Sequence, residues 1–180
     1  MQAYIDEIII SEEKLQARIS EMASEITRDY RSLHPVLIGV LRGAFIFIAD
    51  LARQMPIPLV IDFISVSSYG DSTQSSGVVQ LTKDLSVDIS NRHVLLVEDI
   101  VDTGLTLSYL LDLLLTRKPA SLKVCVLLDK HECRKKEVKL DYVGFPIPDV
   151  FVMGYGLDCQ DFHRNLRFIS TPTPEAFIKF

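Results

Sequence analysis

Apolar residues recur at helical spacing from Ser11 to Asp29, where Leu15, Ile19, Met22 and Ile26 fall three or four positions apart. Ser11 is placed to cap this helix, with Glu12 and Glu13 in its electropositive first turn. His34-Pro35 ends anything helical. Val36–Val40 is then a continuous apolar run of buried-strand type that breaks at Leu41-Arg42-Gly43, and Ala44–Arg53 predicts a helix packed on it. Leu59–Val66 predicts a second strand. The stretch Ser67–Gly77 is small, polar and glycine-bearing, which predicts a long loop. Val78–Leu81 returns as a strand, making that loop the tip of a hairpin or flexible flap. Val94–Val97 predicts a strand running into Glu98–Gly104, with a helix over Leu105–Arg117. Lys123–Leu128 and Val150–Met153 read as further buried strands, Phe168–Ser170 as a short one, and Phe145–Asp149 as a turn.

Strands alternating with helices, and strands that are apolar throughout, predict an α/β fold: a mostly parallel twisted sheet with helices on both faces. No repeat or interdomain linker interrupts the pattern, so residues 1–180 are expected to form a single domain. A chain of this length buries roughly 70% of its surface on folding, enough for a core without disulfides or a structural metal. Composition adds exclusions. A net charge of −5 argues against a dedicated nucleic-acid binder, while leaving room for a local basic pocket. Cys125, Cys133 and Cys159 are odd in number and lack C-x-x-C spacing, which suits a reducing cytoplasm. The acidic start (Asp6, Glu7, Glu12, Glu13) is unlike a signal peptide, and no apolar run is long enough to span a bilayer.

In an open parallel sheet, ligands bind beyond the carboxyl ends of the strands. The richest such end is Val94–Thr106, VLLVEDIVDTGLT, in which an apolar strand meets three carboxylates and then a Thr-Gly turn opening a helix. The turn from Asp102 to Thr106 can aim backbone N–H groups at one point. Gly104 permits close approach, Thr103 and Thr106 add hydroxyls, and the helix N-terminus adds positive potential, a combination that suits a phosphate. Neither a Walker P-loop nor G-x-G-x-x-G is present. Glu98 and Asp99 can accept from two neighbouring hydroxyls, as a ribose offers, or meet a divalent ion; the alternative is an acidic helix-capping loop. Three carboxylates beside a buried strand are costly without a ligand, which favours the functional reading.

VLLVEDIVDTGLT resembles the phosphoribosyl-pyrophosphate signature of the type I phosphoribosyltransferases. Leu41–Phe47 (LRGAFIF), Asp62–Gly70 (DFISVSSYG), Leu127–Lys130 (LLDK) and Val143–Asp158 (VGFPIPDVFVMGYGLD) are similar to the hypoxanthine-guanine phosphoribosyltransferases of the bacterial type. The resemblance covers about residues 10 to 170. It implies a core sheet with a small hood and a flap, and transfer of phosphoribosyl from 5-phosphoribosyl 1-pyrophosphate to hypoxanthine or guanine. It also implies a Mg²⁺ cofactor, small-molecule rather than nucleic-acid or membrane partners, a cytoplasmic setting, and a homo-oligomer (dimer or tetramer).

By position the resemblance implies Glu98 and Asp99 as ribose-hydroxyl contacts and Asp102 as the catalytic base near purine N7. Asp102, Thr103, Gly104, Leu105 and Thr106 would form the 5′-phosphate loop. Lys130 would donate to the purine 6-oxo group, Phe151 stack on the base, and Val152 and Asp158 complete the purine pocket. Leu41, Arg42, Gly43 and Arg164 would hold pyrophosphate. Glu98, Asp99 and Asp158 would serve the metal, and Ser68 and Tyr69 would form the flap tip. Two departures stand out: Arg42 where many members have Lys, and Leu105 where some have Lys. From pattern alone Phe151 reads as core and Lys130 as equally consistent with a solvated face. His34, His93, His131 and His163 lack ligand spacing and read as structural, Cys125 as buried and Cys159 as partly exposed. Two other functions fit less well: a xanthine- or adenine-preferring transferase, and a non-catalytic sensor of phosphoribosyl pyrophosphate.

Overall fold

The computed structural model describes residues 4–68 and 79–177. A strand β1 (Ile5–Ile10) leads into helix α1 (Glu12–Tyr30), whose N-cap Ser11 accepts from the Lys14 N–H at 3.4 Å. A cap of this kind contributes about 1 kcal/mol. The buried face of α1 is Leu15, Ile19, Met22, Ala23, Ile26 and Tyr30, and each large apolar side chain there gives about 1.5–3 kcal/mol on burial. Next come β2 (Val36–Leu41), α2 (Phe45–Arg53), β3 (Val60–Ser68), β4 (Val79–Lys83), β5 (His93–Val101), α3 (Leu105–Leu115), β6 (Ser121–Asp129), β7 (Tyr142–Pro146) and β8 (Ile169–Pro172).

The main sheet has six strands in the order β4-β3-β2-β5-β6-β7; every pairing is parallel except β3 with β4. Alternate side chains of β2, β5 and β6 face opposite layers. Leu37, Leu95, Cys125 and Leu127 pack with α1 and α2, whereas Ile38, Val94, Leu96 and Val126 pack with α3. A separate two-stranded antiparallel sheet, β1 with β8, forms the hood.

Four sequence expectations change. The strand predicted to stop at Val97 continues to Val101, because β6 pairs with it as far as Val101↔Asp129. Val150–Met153 is not a strand: Val150 N–H closes a turn on Pro148, and only Met153 bridges, to Ser170. The edge place in the sheet belongs instead to β7, which includes part of the predicted turn. Cys159 is buried rather than partly exposed, packed with Met153, Leu166 and Ala176.

Candidate active site

The chain passes from β2 to β3 on one side of the sheet and later returns to β5 on the other, so β2 and β5 flank the topological switch. Their pairing ends at Gly39↔Val97. Beyond it the two strands part, and the crevice is bordered by Leu41–Gly43 on one side and Glu98–Gly104 on the other. The Leu41–Arg42 peptide bond is cis.

The first recess, about 120 Å³, is lined by Glu98, Ile100, Val101, Asp102, Thr103, Gly104, Thr106 and Leu107. Gly104, at φ 79°, turns the chain into α3, whose first N–H groups lack intrahelical partners. The Thr103 carbonyl accepts from both Lys135 and Lys136 N–H at 3.0 Å, and a Cβ on Gly104 would overlap the Lys136 carbonyl oxygen. Segment 134–136 therefore pins the turn from behind. Arg134 is part of that brace: its guanidinium is 4% exposed and pairs with Asp129. Its position in a charged run gave no sign of burial. Leu105 starts α3 without lining the recess, and its N–H donates to Thr103 Oγ1 at 3.4 Å.

The second recess, about 380 Å³, shares Ile100 and Asp102 with the first. It gathers Arg42, Gly43, Asp99, Lys130, Phe151, Val152, Asp158 and Arg164, from segments far apart in sequence. Lys130 is 8% exposed, its Nζ 3.5 Å from Asp149 Oδ1, so it is not on a solvated face. Phe151 is 51% exposed rather than core, its ring edge-on to Phe177. The Arg164 guanidinium bonds Asp158 at 2.6 Å and the Gly156 carbonyl at 2.8 Å. Arg42 pairs with Asp161, a residue the sequence reading did not single out. Leu41 lines neither recess. Ser68 closes β3, and Tyr69 lies outside the described residues.

Burial and the neighbouring Asp99 push the Glu98 carboxyl well above its ordinary value. Burial likewise raises Asp99 to about 6, although backbone N–H groups, Arg164 and Glu98 partly offset it. Glu98 Oε2 is enclosed with no hydrogen-bond partner. Glu98 lines the first recess and Asp99 the second, and the two neighbouring carboxyl groups also interact with each other. Asp158 shares the second recess with Asp99, and among the described residues no cluster of three or more His, Cys, Asp or Glu side chains could by itself hold a metal ion. The histidines likewise form no such cluster.

Residues 8–160 match the phosphoribosyl transferase domain family. The chain belongs to that family. Within it, the chain is 47% identical over 173 residues to the hypoxanthine-guanine phosphoribosyltransferase of Bacillus subtilis, covering 96% of each chain. It is 50% identical over 179 residues to that of Mycobacterium avium, covering 96% of this chain and 88% of the other. The solved hypoxanthine phosphoribosyltransferase of Staphylococcus aureus superposes with a TM-score of 0.92 at 42% identity, covering 97% of this chain and 95% of that one.

Proposed function

We propose that this chain is a purine salvage transferase, joining hypoxanthine or guanine to the phosphoribosyl group of 5-phosphoribosyl 1-pyrophosphate and giving IMP or GMP and pyrophosphate. The observation that carries this reading is the pair of adjoining recesses: a phosphate-sized cradle at the start of α3, and beside it a cleft with cations at one side and an exposed aromatic ring at the other.

The 5′-phosphate occupies the Asp102–Thr106 cradle, held by N–H groups, hydroxyls and the end of α3. The ribose diol donates to Glu98 and Asp99, which supplies the buried Glu98 oxygen with the partner it lacks. Pyrophosphate lies against Arg42, Gly43 and Arg164, and its charge displaces the carboxylates now paired with both arginines. The base stacks on Phe151, with its 6-oxo group on Lys130 and Val152 beside it. As the bond at C1 lengthens, positive charge grows on the ribose ring, and the carboxylates beside it favour that state over the ground state. Asp102, exposed where the recesses meet, takes the proton from purine N7.

Magnesium fits this donor set. The carboxylates offer only oxygen, and Asp99 and Asp158 share the cleft where pyrophosphate oxygens would complete the coordination. When bound, the ion neutralises the leaving pyrophosphate. The setting is a reducing cytoplasm, consistent with three free cysteines, and the working form is a homo-oligomer. Among the described residues no helix is long and apolar enough to cross a membrane.

Incubation with hypoxanthine, phosphoribosyl pyrophosphate and Mg²⁺ is expected to yield IMP and pyrophosphate, to stop in EDTA and to resume with added Mg²⁺. Absence of IMP with Mg²⁺ present would overturn the reading, and full turnover in chelator would remove the metal.

A further inference from the structure

The corner Gly154-Tyr155-Gly156 lies directly on the loop between β2 and α2. Gly156 stands so close that a Cβ there would overlap the Gly43 carbonyl oxygen, and a Cβ on Gly43 would in turn overlap Asp99 Oδ2. Corner, loop and Asp99 are thus stacked with no clearance, and a shift in the first passes to the others. The corner is held in an uncommon shape. Gly154 and Gly156 have φ of 98° and 103°, and Tyr155 between them has φ 50°, a left-handed conformation that a bulky residue adopts only where its surroundings impose it.

Backbone bonds hold that shape, Tyr155 N–H donating to the Leu166 carbonyl and Gly156 N–H to the Arg164 carbonyl, both at 2.9 Å, and a further contact ties it down outside the catalytic cleft. The Tyr155 hydroxyl donates to Asp50 Oδ2 at 2.5 Å. Asp50 belongs to α2, the helix that begins just after Gly43, and sits five residues, about 7.5 Å along the axis, from its first residue Phe45. Gln16 of α1 donates to the same carboxylate oxygen at 3.1 Å, and Arg53 pairs with the other. Burial alone would push the Asp50 carboxyl up; the bonds from Tyr155, Gln16 and Arg53 outweigh it and hold it below the usual carboxylate value. Burial keeps the Tyr155 phenol protonated, so it remains the donor. Neither Asp50 nor Tyr155 lines either recess of the site.

We propose that Asp50 and Tyr155 are positioning residues for the pyrophosphate loop, acting through the Gly156–Gly43 contact. Besides its backbone bonds, the corner is tied by the phenol to the body of α2 and abuts, through Gly156, the loop at that helix's start. The loop is therefore held at the spacing pyrophosphate needs before substrate arrives. This inference rests on the function proposed above, in that the loop is taken to bind the pyrophosphate end of the substrate.

The test uses Tyr155→Phe, which removes one oxygen, and Asp50→Asn, with Gly156→Ala as a direct displacement of Gly43. With Tyr155→Phe and Asp50→Asn, KM for phosphoribosyl pyrophosphate is expected to rise about five- to tenfold, with kcat and the KM for hypoxanthine within about twofold. Gly156→Ala should show the same pattern, larger. Amide exchange at Arg42 and Gly43 should quicken in the first two variants, a readout independent of turnover. An unchanged phosphoribosyl pyrophosphate KM in both variants, an equal loss across all parameters, or unchanged exchange at these amides would overturn the inference. Wild-type protein inactive on purines would instead refute the proposed function, and the exchange rates would still decide whether the pair positions the loop.

Discussion

Gly43 leaves the Asp99 carboxylate no room for a neighbour: a methyl group at position 43 would occupy the place of Oδ2. Asp99 is buried on β5, whose pairing with β6 fixes its backbone, so only its side chain can give way. Gly43→Ala therefore forces the loop outward or the carboxylate aside. A displacement of about 1 Å at such a point costs on the order of 10² in rate. Steady-state kcat/KM with phosphoribosyl pyrophosphate should fall by about that factor while the melting temperature changes little; near wild-type kcat/KM would show that the loop tolerates the shift.

Asp102 offers a cleaner separation of chemistry from binding. It borders both recesses, and its side chain can be made neutral at constant shape. Asp102→Asn is expected to lower kcat by about 10²–10⁴ with KM values nearly unchanged, the loss that removal of a positioned base produces. Retention of kcat would take the base role away from it.

The two strand carboxylates predict an unusual pH response. Asp99 is raised to about 6 in the folded chain, and Glu98 is pushed well above its ordinary value, both chiefly by burial. Unfolded carboxylates titrate near 4, so above that pH the folded chain binds more protons than the unfolded one. Stability then falls as pH rises through about 6. Asp99 alone accounts for about 1 kcal/mol between pH 5.5 and 7.5, or about 2–4 °C at this chain length. The ligand-free protein should melt higher at about pH 5.5 than at about pH 7.5, and the doubly substituted Glu98→Gln, Asp99→Asn protein should lose that slope. A flat wild-type profile counts against it.

Base choice follows from donors and acceptors. The Lys130 ammonium has donors only, and Asp149 at 3.5 Å helps fix it. Hypoxanthine and guanine present a 6-oxo acceptor, whereas adenine presents an amino donor. Discrimination of about 10⁴ against adenine is expected, with xanthine weak because its 2-oxo group is an acceptor where guanine presents a donor. The kcat/KM values for the four bases decide it, and adenine turning over like hypoxanthine would show that Lys130 does not read position 6.

Local patterns announced the parts of the molecule that are themselves local. The α1 face, the β2 run and the Asp102–Thr106 turn each lie within one short segment, so periodicity and turn chemistry expose them. What escaped depends on partners distant in sequence. β5 runs on through Glu98 and Asp99 because β6 supplies backbone partners there, although two acids look like a strand's end. β1 carries Asp6 and Glu7 on a thin hood sheet, so it lacks the apolar run of a core strand. Phe151 has a core-like neighbourhood in sequence, yet the turn at Pro148 swings it outward. Asp161 on Arg42 and Asp50 on Tyr155 are joined across 119 and 105 residues, and nothing in either local stretch announces the pairing.

The hood also sets an order of events during synthesis. Its strands are joined by a hydrogen bond from Glu7 to Thr171, 164 residues away, and Met153 enters it by bridging to Ser170. Once Pro146 has left the ribosome, all six strands of the main sheet are available to pair. The segment carrying Phe151, Val152 and the Tyr155 corner still lacks its β8 partner. Until β8 emerges, the nascent chain has the turn at the start of α3 in place while Met153, just after Phe151 and Val152, lacks the Ser170 partner it bridges to.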